Sequence, residues 1–146
     1  MNIRKINKND LKVCSKILEE AYGQDPYNEI FKDSTALEYI EGKYKNCGEN
    51  SFVATDDDGV VTAFIFLNVS SWSEGLQAVL EEIAVDPSFQ GAGIGKELIS
   101  YAHNHLSSLG AKSVMLWAKN DERLLNFYKK HGYFLADDFV VMFKNF

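Results

Sequence analysis

The chain has 146 residues, 46% of them hydrophobic and 13% aromatic, a composition that suits one packed domain over residues 1–146 and excludes a disordered chain. A formal net charge of -6, with the acidic residues spread along the chain, argues against nucleic acid as a partner and favours cationic small molecules. No apolar run approaches the roughly 20 residues of a bilayer span, and Met1-Asn2-Ile3-Arg4-Lys5 leads into no signal-like apolar stretch, so no membrane association and a cytoplasmic location are expected.

Met1 to Ile6 reads as a first strand, with Asn9-Asp10 as the cap of a helix carrying Leu11, Cys14, Ile17, Leu18 and Ala21 on one face and ending at Gly23. Gln24 to Lys32 has a loop composition. Thr35-Ala36-Leu37-Glu38 has the form of a capping box and opens a second helix through Ile40 and Tyr44 to Gly48. Ser51–Thr55, the turn Asp56-Asp57-Asp58-Gly59 and Val60–Val69 form a hairpin pattern. Ser70–Gly75 reads as another turn and Leu76–Val85 as a third strand of an antiparallel meander. After Pro87 the period becomes helical, with Ile94, Leu98, Ile99, Ala102, Leu106 and Leu109 on one face and Gly110 beyond the end. Ser113–Ala118 is a short strand that, following a crossover helix, should run parallel to Leu76–Val85. Glu122–His131 is the last helix, Gly132 its stop, and Tyr133–Leu135 with Phe139–Phe143 a final pair of strands. The fold class is α+β, or mixed α/β: one central, mostly antiparallel sheet, four helices, and a parallel strand pair at its middle.

Cys14 and Cys47 lie far apart with no metal-ligand spacing near either, and His103 and His105 diverge on a helix, so no metal and two reduced thiols are expected. The chemistry points instead to Glu82–Ile99, where a strand, a proline and a glycine-rich turn run straight into a helix. Backbone N–H groups and the positive helix end then converge on one point, and an anion belongs there. Glycines at 91, 93 and 95 would clear side chains from that approach. A dinucleotide fingerprint would need glycine where Lys96 or Leu98 stands, and a triphosphate loop needs wider glycines and a hydroxyl where Glu97 stands.

Gln90-Gly91-Ala92-Gly93-Ile94-Gly95 resembles the acetyl-CoA loop Q/R-x-x-G-x-G/A of the GNAT acetyltransferase superfamily. Leu80-Glu81-Glu82-Ile83-Ala84-Val85-Asp86-Pro87 before it resembles the family's fourth strand, and Asn126-Phe127-Tyr128-Lys129-Lys130-His131-Gly132-Tyr133 its late helix and turn. The resemblance implies an acetyl-CoA-dependent N-acetyltransferase. Ile83, Ala84, Val85, Gln90, Gly91, Ala92, Gly93, Ile94, Gly95, Lys96, Asn120 and Asn126 would contact CoA, with the pantetheine arm between two splayed strands. Where the family often has Asn seven residues before the tyrosine, this chain has Asp121, with Asn120 one step earlier. Homodimers are frequent in the family.

An alkyl ammonium with a pKa near 10.4 must lose a proton before it attacks a thioester, at a cost of about 4–5 kcal/mol at pH 7. Glu81 and Glu82 are the candidate acceptors. Alternation along a strand lets only one share the side of Val79, Ile83 and Val85, which is Glu81; the resemblance assigns it the base role, through water, with Glu82 as the other choice. Tyr128 resembles the family tyrosine that protonates the departing thiolate, and the N–H of Ile83 or a neighbour would face the oxyanion. The resemblance places the acceptor at the first two helices and the loop between them, Tyr22 to Asp33, so Tyr22, Tyr27, Phe31 and Glu82 are the expected substrate-binding set, aromatic faces beside carboxylates suited to a small primary amine. The competing readings are transfer to a protein amine and a non-catalytic sensor of CoA or acyl-CoA.

Overall fold

The computed structural model describes all residues, Met1–Phe146. Five strands form one sheet in the order β1 (Asn2–Lys5), β2 (Phe52–Thr55), β3 (Val61–Trp72), β4 (Gly75–Val85) and β5 (Ser113–Leu116). Neighbours from β1 to β4 are antiparallel, and β4 and β5 run parallel, with Gln77 opposite Ser113 and Leu80 opposite Leu116. α1 (Leu11–Tyr22) and α2 (Thr35–Cys47) pack on one face; α3 (Ile94–Ser108) and α4 (Glu122–Lys130) lie on the other.

The strand period explains this sandwich. Phe64 and Phe66 face α1 and α2, joining Cys14, Ile17, Leu18 and Ile40 in one core, while Ala63, Ile65 and Leu67 join Leu98, Ile99, Ala102 and Leu106 in a second. Along α1 the buried residues Leu11, Cys14, Ile17 and Leu18 recur at helical spacing, as do Ile94, Leu98, Ile99, Ala102 and Leu106 on α3. Leu109, expected on that second face, is the C-cap of α3 and is exposed. No helix is long and apolar enough to cross a membrane.

Several local expectations need correction. The turn expected at Ser70–Gly75 shrinks to Ser73 and Glu74, because Trp72 pairs with Gly75 and the ladder runs almost to the tip. Asp10 stands at the N-cap of α1, as expected, but its side chain caps no amide of that helix; the side-chain cap is Asn7, before the 3-10 turn Lys8–Asp10, which accepts from the Asn9 N–H at 2.9 Å while Asp10 accepts from the Asn7 N–H at 2.8 Å. Asp10 is buried, and the Arg4 guanidinium grips both its oxygens at 2.7 and 2.8 Å. No capping box forms at Thr35–Glu38: Ser34 precedes the helix, and its hydroxyl goes to the Glu38 carboxylate instead of to a backbone amide.

The largest difference is at the C-terminal end. Tyr133–Leu135 and Phe139–Phe143 form no strands; Phe139, Val140, Val141, Met142 and Phe143 are all 60% exposed or more. A strand exists only where a neighbouring ladder accepts its backbone groups, and nothing pairs with the outer edge of β5. The parallel pair therefore stands at the sheet edge and not at its middle.

Candidate active site

The glycine loop begins where β4 ends. Asp86 caps a single 3-10 turn, Pro87–Phe89, by accepting from the Ser88 N–H at 2.8 Å. Gln90 is extended, and its Nε2 donates back to the Val85 carbonyl at 3.2 Å. Gly91 and Gly93 take φ of +83° and +84°, left-handed conformations that would cost an L-residue about 1–2 kcal/mol. Gly93 is the N-cap of α3, and Glu97 is the first residue of that helix whose N–H finds a partner, the Gly93 carbonyl at 3.1 Å. The amides from Gly91 to Lys96 thus donate to nothing within the chain, at the positive end of a 15-residue helix. Gly95 differs from Gly91 and Gly93: its φ is not left-handed, and a Cβ there would meet Val85 and Phe127 at 3.5 and 3.7 Å, ordinary contact, so the backbone and the packing within the chain do not require glycine at that position.

Pairing between β4 and β5 stops at Leu80 and Leu116, where β5 ends, so Glu81 to Val85 have no ladder partner on that side. Ile83 and Val85 lie on the α3 side and Ala84 on the α1 side. The Ile83 N–H, expected to face an oxyanion, donates to Glu82 Oε1 at 3.2 Å. Asp121 caps α4, accepting from the Leu124 N–H at 3.0 Å, which occupies the residue that replaces the family asparagine. Asn120 and Asn126 are exposed on either side of that cap.

The carboxylates overturn the alternation argument. Phe66 pairs with Glu82 but Leu67 pairs with Leu80, so Glu81 is an extra residue in a β-bulge. The bulge turns both carboxylates toward α1 and α2, away from the side of Ile83 and Val85 where Glu81 was expected. Their surroundings differ sharply. Glu81 is ion-paired to Lys43 Nζ at 2.6 Å and accepts from Asn68 at 3.2 Å; burial pushes its pKa up, but these partners outweigh it and hold the group below the usual value. Glu82 is buried and accepts from the Tyr22 hydroxyl at 2.8 Å and the Tyr39 hydroxyl at 3.0 Å. Its pKa is raised, because burial outweighs the two phenols and the Ile83 amide.

Tyr128 lies on the α3 side of the sheet, packed against Phe127 and Tyr133. Burial, then the proximity of Tyr27 and Glu82, raises its pKa, so it stays protonated. Its hydroxyl bonds nothing in the chain, yet no buried polar side-chain atom lacks a partner, so that hydroxyl opens onto accessible space. Tyr22 stacks on Tyr27 with centroids 4.3 Å apart, and Phe31 meets the Tyr22 edge at 6.1 Å. The four expected substrate residues, Tyr22, Tyr27, Phe31 and Glu82, are thereby brought into one cluster.

Sequence reasoning missed Tyr39, Lys43, Asn68 and Lys119. Tyr39 and Lys43 stand four apart on α2, a spacing that puts both on one helix face and was the available signal. Nothing local marks Asn68 or Lys119. His103 and His105 do diverge, one to the Tyr133 hydroxyl at 3.0 Å and the other to Asn50 at 2.9 Å.

Comparison with known proteins bears on the family and the fold. Residues 47–134 match the family model described as an acetyltransferase (GNAT) domain. An uncharacterised N-acetyltransferase of Methanocaldococcus jannaschii is 30% identical over 137 residues, covering 90% of this chain and 59% of that protein. The streptothricin acetyltransferase of Streptomyces lavendulae is 26% identical over 118 residues, 80% of this chain and 61% of that one. The chain therefore spans less than two thirds of the length of these relatives. A crystal structure of a possible acetyltransferase from Clostridium difficile superposes with a TM-score of 0.84, 14% identity, and 99% and 97% of the two chains covered. With the family model matched over more than half its length, the chain belongs to the GNAT acetyltransferase family.

Proposed function

We propose that the protein moves the acetyl group of acetyl-CoA onto a primary amine of a small molecule. The observation that carries this reading is that β4, which holds the buried carboxylate Glu82, leads through one 3-10 turn into the free amides from Gly91 to Lys96. Those amides fit a diphosphate: each charge-assisted hydrogen bond is worth roughly 1.5–3 kcal/mol, and no basic side chain is needed. Gln90, bonded to Val85, holds the loop entrance against β4, and Asn120 and Asn126 are exposed before and within α4. The co-substrate supplies an activated thioester; the chain supplies position and proton management.

Of the two carboxylates, Glu82 is the better proton acceptor. Its raised pKa narrows the gap to an ammonium, while the Lys43 pair holds Glu81 ionised and already bonded. Tyr22 and Tyr39 donate to Glu82 and fix its rotamer, so they act as positioning residues, and Lys43 with Glu81 braces α2 against the bulge. Tyr128, protonated and with an accessible hydroxyl, is the donor to the departing sulfur. A small-molecule acceptor is supported by the cluster of Tyr22, Tyr27 and Phe31, and by the streptothricin acetyltransferase among the relatives.

The test is a pair of isosteric variants assayed for CoA thiol release with an amine pool. Glu82→Gln should lower turnover by about 10²–10⁴-fold, and Glu81→Gln by less than about tenfold, with CoA affinity kept in both. The reverse ranking would return the base role to Glu81, and an absence of CoA binding by titration calorimetry would end the acetyl-transfer reading.

A further inference from the structure

Lys119 lies in the bend between β5 and α4, and its ammonium reaches across to the segment between α1 and α2. There Nζ stands over the Tyr27 ring, 5.7 Å from its centroid, and donates to the Pro26 carbonyl. A ring face and a carbonyl are the two neutral groups that hold an ammonium, one through its quadrupole and the other as acceptor. No carboxylate pairs with Lys119; the three ion pairs belong to Met1, Arg4 and Lys43. Lys119 is itself exposed, so water can replace its contacts at little cost.

The Tyr27 ring is not an isolated surface. It stacks on Tyr22, whose hydroxyl reaches Glu82, so an unbroken aromatic path joins the Lys119 ammonium to the buried carboxylate. The field along this path is negative: after burial, Glu82, Asp121 and Glu29 are the groups that disfavour ionisation of the Tyr27 phenol. One cation already rests at the outer end, and the inner end is where an acceptor amine must lose its proton.

We infer that the Tyr27 face and the Pro26 carbonyl form a second ammonium subsite, held here by Lys119, and that the acceptor is a linear diamine or polyamine. Its distal ammonium displaces Lys119 while its terminal amine reaches Glu82. This rests on the proposed acetyl transfer only for the second half of that statement. Lys119 acts as an internal competitor that sets the acceptor's required charge: a monoamine gains nothing from displacing it, whereas a dication exchanges one bound ammonium for another.

Spermidine and butylamine are the probes. Lys119→Met should tighten spermidine binding, measured by titration calorimetry on the protein without CoA, about fivefold to tenfold. Lys119→Arg, which keeps a cation on the ring, should stay within about twofold of the parent. Adding Tyr27→Leu to Lys119→Met should cancel the gain, which mere loss of a positive charge would not do. In turnover, the ratio of the butylamine KM to the spermidine KM should rise at least about fivefold in Lys119→Met. Unchanged spermidine affinity, or a gain that survives Tyr27→Leu, overturns the subsite. Absence of CoA binding with the spermidine shift intact would instead sink acetyl transfer and leave the subsite standing.

Discussion

Glu81 and Glu82 are adjacent in sequence and opposite in circumstance, and the difference sets a pH signature. Glu82 has its folded pKa raised, chiefly by burial, so its neutral form is the one the fold favours. That contribution is present below the ordinary glutamate pKa and is lost as pH rises through the raised value. Stability of Glu82→Gln relative to the parent should therefore improve between pH 4 and pH 7 in urea titrations; a difference that stays constant would mean that Glu82 ionises normally. The glycines divide in the same residue-by-residue way. Gly93→Ala should cost about 1–2 kcal/mol and weaken CoA binding, because its φ of +84° is left-handed. Gly95→Ala, in a helical conformation with ordinary contacts, should be neutral or stabilising by up to about 1 kcal/mol. Equal losses in the two variants would show that the contrast in backbone conformation does not govern the loop.

At the scale of elements, two local devices orient the site. One is the bulge at Glu81, which brings two successive carboxylates to the same face of β4 and lets each meet a different part of α2. The other is the capped turn before α1, where buried Asp10 joins the Arg4 side chain of β1 to the Asn7 amide. Burial pushes Asp10 up, but Arg4 and Asn7 more than reverse it, and the net pKa is lowered. Its stabilisation is thus complete above the ordinary aspartate value and lost as pH falls through the lowered one. Asp10→Asn should cost about 1–3 kcal/mol at pH 7, and the gap from the parent should narrow on acidification below about pH 4. A gap that widens there would contradict the ion pair. Because α1 carries Tyr22 at its far end, a loosened α1 should also raise the amine KM more than it lowers kcat.

For the whole molecule, the two cores and the sheet are complete without the C-terminal segment: no residue from 139 to 146 is buried or in a ladder. Removing residues 139–146 should leave the melting temperature within about 2 °C, since less than about 0.5 kcal/mol is then at stake; a drop of more than about 5 °C would mean that the segment pairs with the sheet in solution. The apolar periods of α1 and α3, the Asp-Gly turn, the parallel β5 and the glycine loop were legible in the sequence because each is a local pattern with a local cause. The structure also gathers Glu82, Tyr22, Tyr27 and Phe31, grouped in the sequence reading, into one cluster. Three things were not legible in the sequence. The bulge depends on how β3 and β4 register against each other, and it alone decides which glutamate is buried. The partners of those glutamates, Tyr39, Lys43 and Asn68, come from α2 and β3, tens of residues away in the chain. The final segment has strand-like composition, but a strand requires an edge that accepts it. The sequence by itself determined which residues want to be buried and where the backbone must turn left-handed, because those preferences belong to single residues and their near neighbours. The tertiary structure decided which polar groups meet, because burial and pairing are properties of the assembled sheet and helices, not of any one stretch of chain.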